Sequence, residues 1–142
     1  MYLPTRLRIL LAVLLLGSVC AHADIVVVVS AKSAVTSLTQ DQVADIFMGR
    51  AAAFPGGGAA VPVDQREGSP VRNDFYEAIS GKALPQMKAY WARMLFTGRG
   101  QPPVEVGDSG EVKHLVAGNS KLIAYIDRAA LDNSVKVVFT LH

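Results

Sequence analysis

Val63 to Ile79 reads V-D-Q-R-E-G-S-P-V-R-N-D-F-Y-E-A-I, and its order of residue types predicts a strand handing over to a helix through a polar turn. Ser69 followed by Pro70 is a helix start. The serine hydroxyl accepts from an orphan N–H of the first turn, and proline fits the first helical position without losing a hydrogen bond. The helix is expected to begin at Pro70, bury Val71, Phe75, Ala78 and Ile79, and stop at Gly81. Its unpaired N–H groups and the positive end of its dipole then face the loop from Gln65 to Ser69, with Arg66 and Arg72 adding full charge. Such a turn suits an oxyanion. The alternative is a surface turn in which Glu67 pairs with Arg66 or Arg72, worth about 0 to 1 kcal/mol.

Working outward, the chain of 142 residues is 51% hydrophobic and 18% charged, which excludes disorder and provides for one folded domain. Arg6 and Arg8 precede the apolar run Ile9 to Leu16, and Ala21-His22-Ala23 supplies small residues where signal peptidase needs them. Residues 1–23 are therefore expected to be a signal peptide cleaved after Ala23, which implies a periplasmic or secreted domain of residues 24–142. The run is too short for the ~20 residues that span a bilayer. A lipoprotein reading at Cys20 is disfavoured by the bulky Val19 before it. Loss of Arg6 and Arg8 leaves 12 basic residues against 12 acidic ones. A mature chain of zero net charge has no electrostatic motive for nucleic acid. It also contains no cysteine, so neither a disulfide frame nor a thiolate metal site is expected.

Ile25 to Val29 is a run of β-branched residues suited to a strand buried on both faces. Ser30 follows at its carboxyl end, where open α/β sheets place ligands, and joins the candidate site. Thr39 to Gln42 is a capping box with Leu38 and Val43 as its staple, and Gly49 ends that helix. Ala59 to Val63 is expected as the second strand, with Pro62 tolerated at an edge or strand end. Pro85 starts a third helix whose Met87, Tyr90, Trp91, Met94 and Leu95 read as a core stripe. Thr97 to Pro103 is a loop, Asp108 with Glu111 caps a short fourth helix closed by Gly118, and Leu122–Ile126 and Val135–Thr140 are the final strands. The sum is one α/β domain, a sheet covered by helices.

Catalytic chemistry has no constellation to rest on. His114 and His142 lack sequence partners, no G-x-S-x-G motif occurs, and no His or Cys cluster has ligand spacing. The chain reads as a non-enzyme without cofactor or metal.

Asp45-Ile46-Phe47-Met48-Gly49, then Pro62-Val63, then Arg66-Glu67-Gly68-Ser69 before Phe75, then Leu122-Ile123-Ala124-Tyr125-Ile126 together resemble the phosphate-binding proteins of bacterial ABC uptake systems. The resemblance runs from Ile25 almost to the C-terminus and is greatest to short, signal-bearing members. It implies a single lobe like one domain of a type 2 periplasmic binding protein, a central mixed sheet flanked by helices. By position, Glu67 matches the family's acidic residue and Ser69 its serine, with Gly68 between them. Gln65 stands where an arginine is expected, Arg66 is displaced by one, and Pro70 and Val71 replace a glycine and a threonine. The resemblance implies binding of phosphate or a similar oxyanion by Ser69, Gly68, Arg66, Arg72, Glu67 and Ser30, in company with an ABC permease or another envelope protein. The alternative is an envelope protein-interaction module that keeps the fold without the ligand.

Overall fold

A computed structural model describes residues 24–142, so the expected signal peptide lies outside the described residues. Five strands and four helices follow in the order β1 (Ile25–Ser30), α1 (Gln40–Phe47), β2 (Val61–Gln65), α2 (Pro70–Ser80), α3 (Leu84–Phe96), β3 (Val104–Gly107), α4 (Ser109–Ala117), β4 (Leu122–Asp127) and β5 (Val135–Thr140). A short 3₁₀ turn, Arg128–Ala130, links the last two strands. The sheet order is β3-β2-β4-β1-β5.

β1 is the central load of apolar side chains, with all six of its residues buried. Alternation divides them. Val27 and Val29 join Val43, Ile46, Phe47, Phe75 and Tyr125 under α1 and α2, while Val26 and Val28 join Val112 and Val116 under α4. A strand covered on both faces cannot afford polar positions, which is why its sequence is continuously apolar.

Direction matters more than order here. β2 runs parallel to both β3 and β4, whereas β1 is antiparallel to β4, with Ile25 opposite Asp127 and Val29 opposite Ile123. The carboxyl ends of β2, β3 and β4, at Gln65, Gly107 and Asp127, therefore share one edge of the sheet. Ser30 lies at the other edge, about 16 Å away at ~3.3 Å per residue.

The expected caps form. Thr39 Oγ1 accepts from Gln42 N and the Gln42 side chain accepts from Thr39 N, closing the box, and Gly49 and Gly81 follow α1 and α2 with positive φ. Asp108 caps α4 through Glu111 N. Two boundaries differ from the sequence reading. β2 starts and ends two residues later than expected, which takes Gln65 out of the loop and into the sheet. β3 was not expected at all: four residues, with Val104 71% exposed, leave no alternation to detect. Pro62 is tolerated because β3 begins pairing only at Val63, so no neighbour needs an N–H from it on that side.

Candidate functional site

The turn from Gln65 to Pro70 sits where α2 and α4 both begin. Gln65, Arg66, Ser69, Val71, Ser109 and Asp127 line an open cleft of about 440 Å³ at this edge. Ser69 occupies the N-cap of α2 as expected, its Oγ accepting from Arg72 N at 3.3 Å. Gly68 adopts φ 87, a left-handed conformation that a side chain would strain, and this turns the chain into the helix. The first-turn N–H groups of both helices have no intrahelical acceptor; Ser69 caps Arg72 N and Asp108 caps Glu111 N, while Val71, Ser109 and Gly110 line this cleft.

Ser69 is not a free hydroxyl. It donates to Gln65 Oε1 at 2.8 Å, and the Gln65 amide in turn donates to Ser109 Oγ at 3.0 Å and to the Tyr125 carbonyl at 3.1 Å. Ser109 Oγ also accepts from Asp127 N at 3.1 Å. A buried glutamine thus locks β2, β4, α2 and α4 together. Two carboxylates share the cleft, those of Asp108 and Asp127, each accepting from a nearby backbone N–H.

The six candidate residues fall into three groups. Arg66, Gly68 and Ser69 are brought together at the α2 start. Arg72 and Glu67 are drawn elsewhere. The Arg72 guanidinium donates to the Gln65 carbonyl and to Glu105 Oε1, both at 2.9 Å, and its Nε lies 3.7 Å from buried Asp64. A cation in the first helical turn opposes the helix dipole and gains from an acidic neighbour, and here the neighbours are Asp64 and Glu105. Glu67 pairs with neither arginine but with Lys88 of α3, at 3.0 Å, which holds its carboxyl below the usual range. Ser30 is a correction. It is buried at the opposite edge of the sheet, donating to the Ala117 carbonyl and accepting from Lys32 N. The rule that ligands sit at strand carboxyl ends applies to the parallel strands, and β1 runs against them.

Behind the cleft lies a polar network that the sequence reading missed. Asp64, 2% exposed, accepts from the hydroxyl of Tyr125, from Tyr76 at 2.8 Å and from Gln65 N at 2.9 Å. Burial is the largest influence on Asp64 and raises its carboxyl above the ordinary value, partly offset by the Tyr125 hydrogen bond and by Arg72. Burial likewise raises Tyr76 and Tyr125, both adjacent to that carboxylate, so both hydroxyls stay protonated donors. The tyrosine rings belong to the apolar core, with Phe75 stacked on Tyr125 at 4.0 Å and meeting Phe47 edge-on at 4.8 Å. An aspartate among valines was the signal available in sequence. Its partners, 12 and 61 residues away, were not.

The open five-stranded sheet with four flanking helices is one lobe of a periplasmic binding protein fold. A Clostridium perfringens protein assigned as a phosphate ABC transporter substrate-binding protein, solved with bound phosphate, matches with TM-score 0.65 and 28% identity over 81% of this chain and 44% of its own. An ABC-type phosphate transport receptor from Vibrio cholerae matches with TM-score 0.64 and 20% identity, over 81% of this chain and 45% of its own. PstS from Borrelia burgdorferi does so with TM-score 0.61 and 12% identity, over 81% and 46%. The chain spans less than half the length of each. At such identities the last two speak for the fold alone. No family model and no curated protein matches the chain.

Proposed function

We propose that residues 24–142 form an exported, non-enzymatic, solute-binding-like domain that takes phosphate or a similar small oxyanion at the start of α2. One observation carries the reading: two helix N-termini, α2 and α4, meet at one cleft at the carboxyl ends of three parallel strands, with Ser69 capping one of them. The C. perfringens neighbour, solved with phosphate, supports the ligand class. Backbone N–H groups of Gly68 and Val71 supply the donors, Arg66 the exposed cation, and Ser69 the geometry. Glu67 and Arg72 act from outside, Glu67 by tying the turn to α3 and Arg72 by tying it to β3. The C. perfringens neighbour, assigned to phosphate ABC transport, supports extending the proposal to a link with ABC phosphate uptake, with a permease as partner and the periplasm as compartment. Among the described residues no helix is long and apolar enough to cross a membrane.

Calorimetry on residues 24–142 tests the reading. Phosphate at millimolar concentration is expected to release heat that Arg66→Ala reduces severalfold, and absence of heat would remove the binding role. A second reading, an envelope protein-interaction module, is favoured by the consumption of candidate donors inside the fold, Ser69 by Gln65 and Arg72 by Glu105. It expects a specific envelope partner, cross-linked equally with and without phosphate.

A further inference from the structure

α3 was expected to bury a continuous stripe, and it does not. Met87 is its one buried residue, while Leu84 and Leu95 are exposed and Trp91 is half-buried. Leu84, Lys88, Trp91 and Leu95 recur at helical spacing along one side, and Pro102 and Pro103 face them, enclosing a groove of about 360 Å³. That volume lies in the range of small-ligand sites, and from Leu84 to Leu95 the helix rises about 16 Å, so the groove is long and narrow.

The polar groups around it are unevenly satisfied. Lys88 is paired with Glu67, and Arg72 with Glu105. Lys82, which lines the groove next to Leu84, has no carboxylate within 4.0 Å among the described residues. An apolar channel that ends in one uncompensated cation is complementary to an apolar chain that ends in one negative charge. We infer that this groove binds a small aliphatic carboxylate, its chain along α3 against Trp91 and its carboxylate on Lys82. The site is separate from the α2 cleft and stands whether or not phosphate binds there.

Trp91 is the single tryptophan of the chain, so its emission reports the groove directly. The experiment titrates residues 24–142 with octanoate, octan-1-ol and octylammonium, following Trp91 fluorescence. Octanoate is expected to give a saturable change, octanol a weaker one and octylammonium the weakest. Lys82→Ala should weaken octanoate about fivefold, the effect of losing one half-exposed ion pair, while leaving octanol unchanged. Ala92→Phe, at an exposed position that lines the groove, should abolish both responses without affecting the fold. Inorganic phosphate at matched ionic strength should leave the octanoate midpoint unmoved. No saturable response to octanoate, equal weakening of both ligands by Lys82→Ala, or displacement by phosphate would each overturn the proposal. So would an emission shift that follows protein concentration alone, since that outcome assigns the stripe to a second copy of the chain.

Discussion

Replacing Arg72 by methionine keeps most of the side-chain volume and removes the one cation within 4.0 Å of Asp64 among the described residues. The Nε of Arg72 lies 3.7 Å from Asp64 Oδ2, and at an effective dielectric of about 20 that separation corresponds to roughly 4 kcal/mol of attraction. Arg72 is 19% exposed and Asp64 keeps its hydrogen bonds to Tyr76, Tyr125 and Gln65, so the expected loss at pH 8 is about 2 to 3 kcal/mol. The pH dependence identifies the cause. Burial already raises the Asp64 carboxyl, and removing Arg72 raises it further. A carboxyl raised in the folded state favours folding below its unfolded value near 3.8 and loses that contribution as pH rises through the folded value. The penalty of Arg72→Met should therefore shrink as pH falls toward the folded-state value of Asp64, as that carboxyl takes a proton. Urea denaturation followed from pH 8 down into the acid limb measures it. Asp64→Asn on the Arg72→Met background should recover most of the loss at pH 8, because no buried charge is left unpaired. A penalty that is constant with pH, or a double variant no better than the single one, would refute the account.

Three further outcomes are expected. Ser69→Ala removes the α2 cap and leaves the Gln65 oxygen unpartnered, and should cost about 1 to 2 kcal/mol in urea denaturation, more than a surface cap alone. Phe75→Ala removes the ring that stacks on Tyr125 and meets Phe47 edge-on, and should cost about 3 to 5 kcal/mol in the same assay. Asp132 is held below the usual carboxylate range, chiefly by Lys113 and then by Ser134, so its contribution is present above the unfolded value and lost as pH falls through the folded one. Asp132→Asn should flatten the acid limb of a stability–pH profile, and an unchanged limb would show that the pair contributes nothing.

What could be read from sequence was local. The Thr39 box, the Ser69-Pro70 start and the Gly81 stop each depend on residues within four positions, and each formed where expected. Fold class followed from the apolar run of β1 and the helical periods between strands. What could not be read depends on pairing across the chain. Ser30 was misplaced because the direction of β1 is decided by its partner β4, nearly a hundred residues on, and nothing in I-V-V-V-V-S encodes it. Gln65 looked like a loop residue, and its burial follows from Ser109 and Tyr125 meeting it. Trp91 and Leu95 had the spacing of core residues, but periodicity reports that a helix has an apolar side and says nothing of how much protein lies opposite it.

Gln65 also sets how strongly the cleft can hold an anion. An arginine there would bring a full charge into a buried position. The glutamine instead spends its amide on Ser109 and Tyr125 and its oxygen on Ser69, leaving no net charge. The cleft then has Arg66 and two helix ends of about half a charge each, against the carboxylates of Asp108 and Asp127. These cancel. Under the proposed function, with no electrostatic surplus and one side open to water, where charge-assisted contacts are weakest, the isolated domain would hold phosphate only loosely. Tight capture requires a second surface that excludes water from the Gln65 edge.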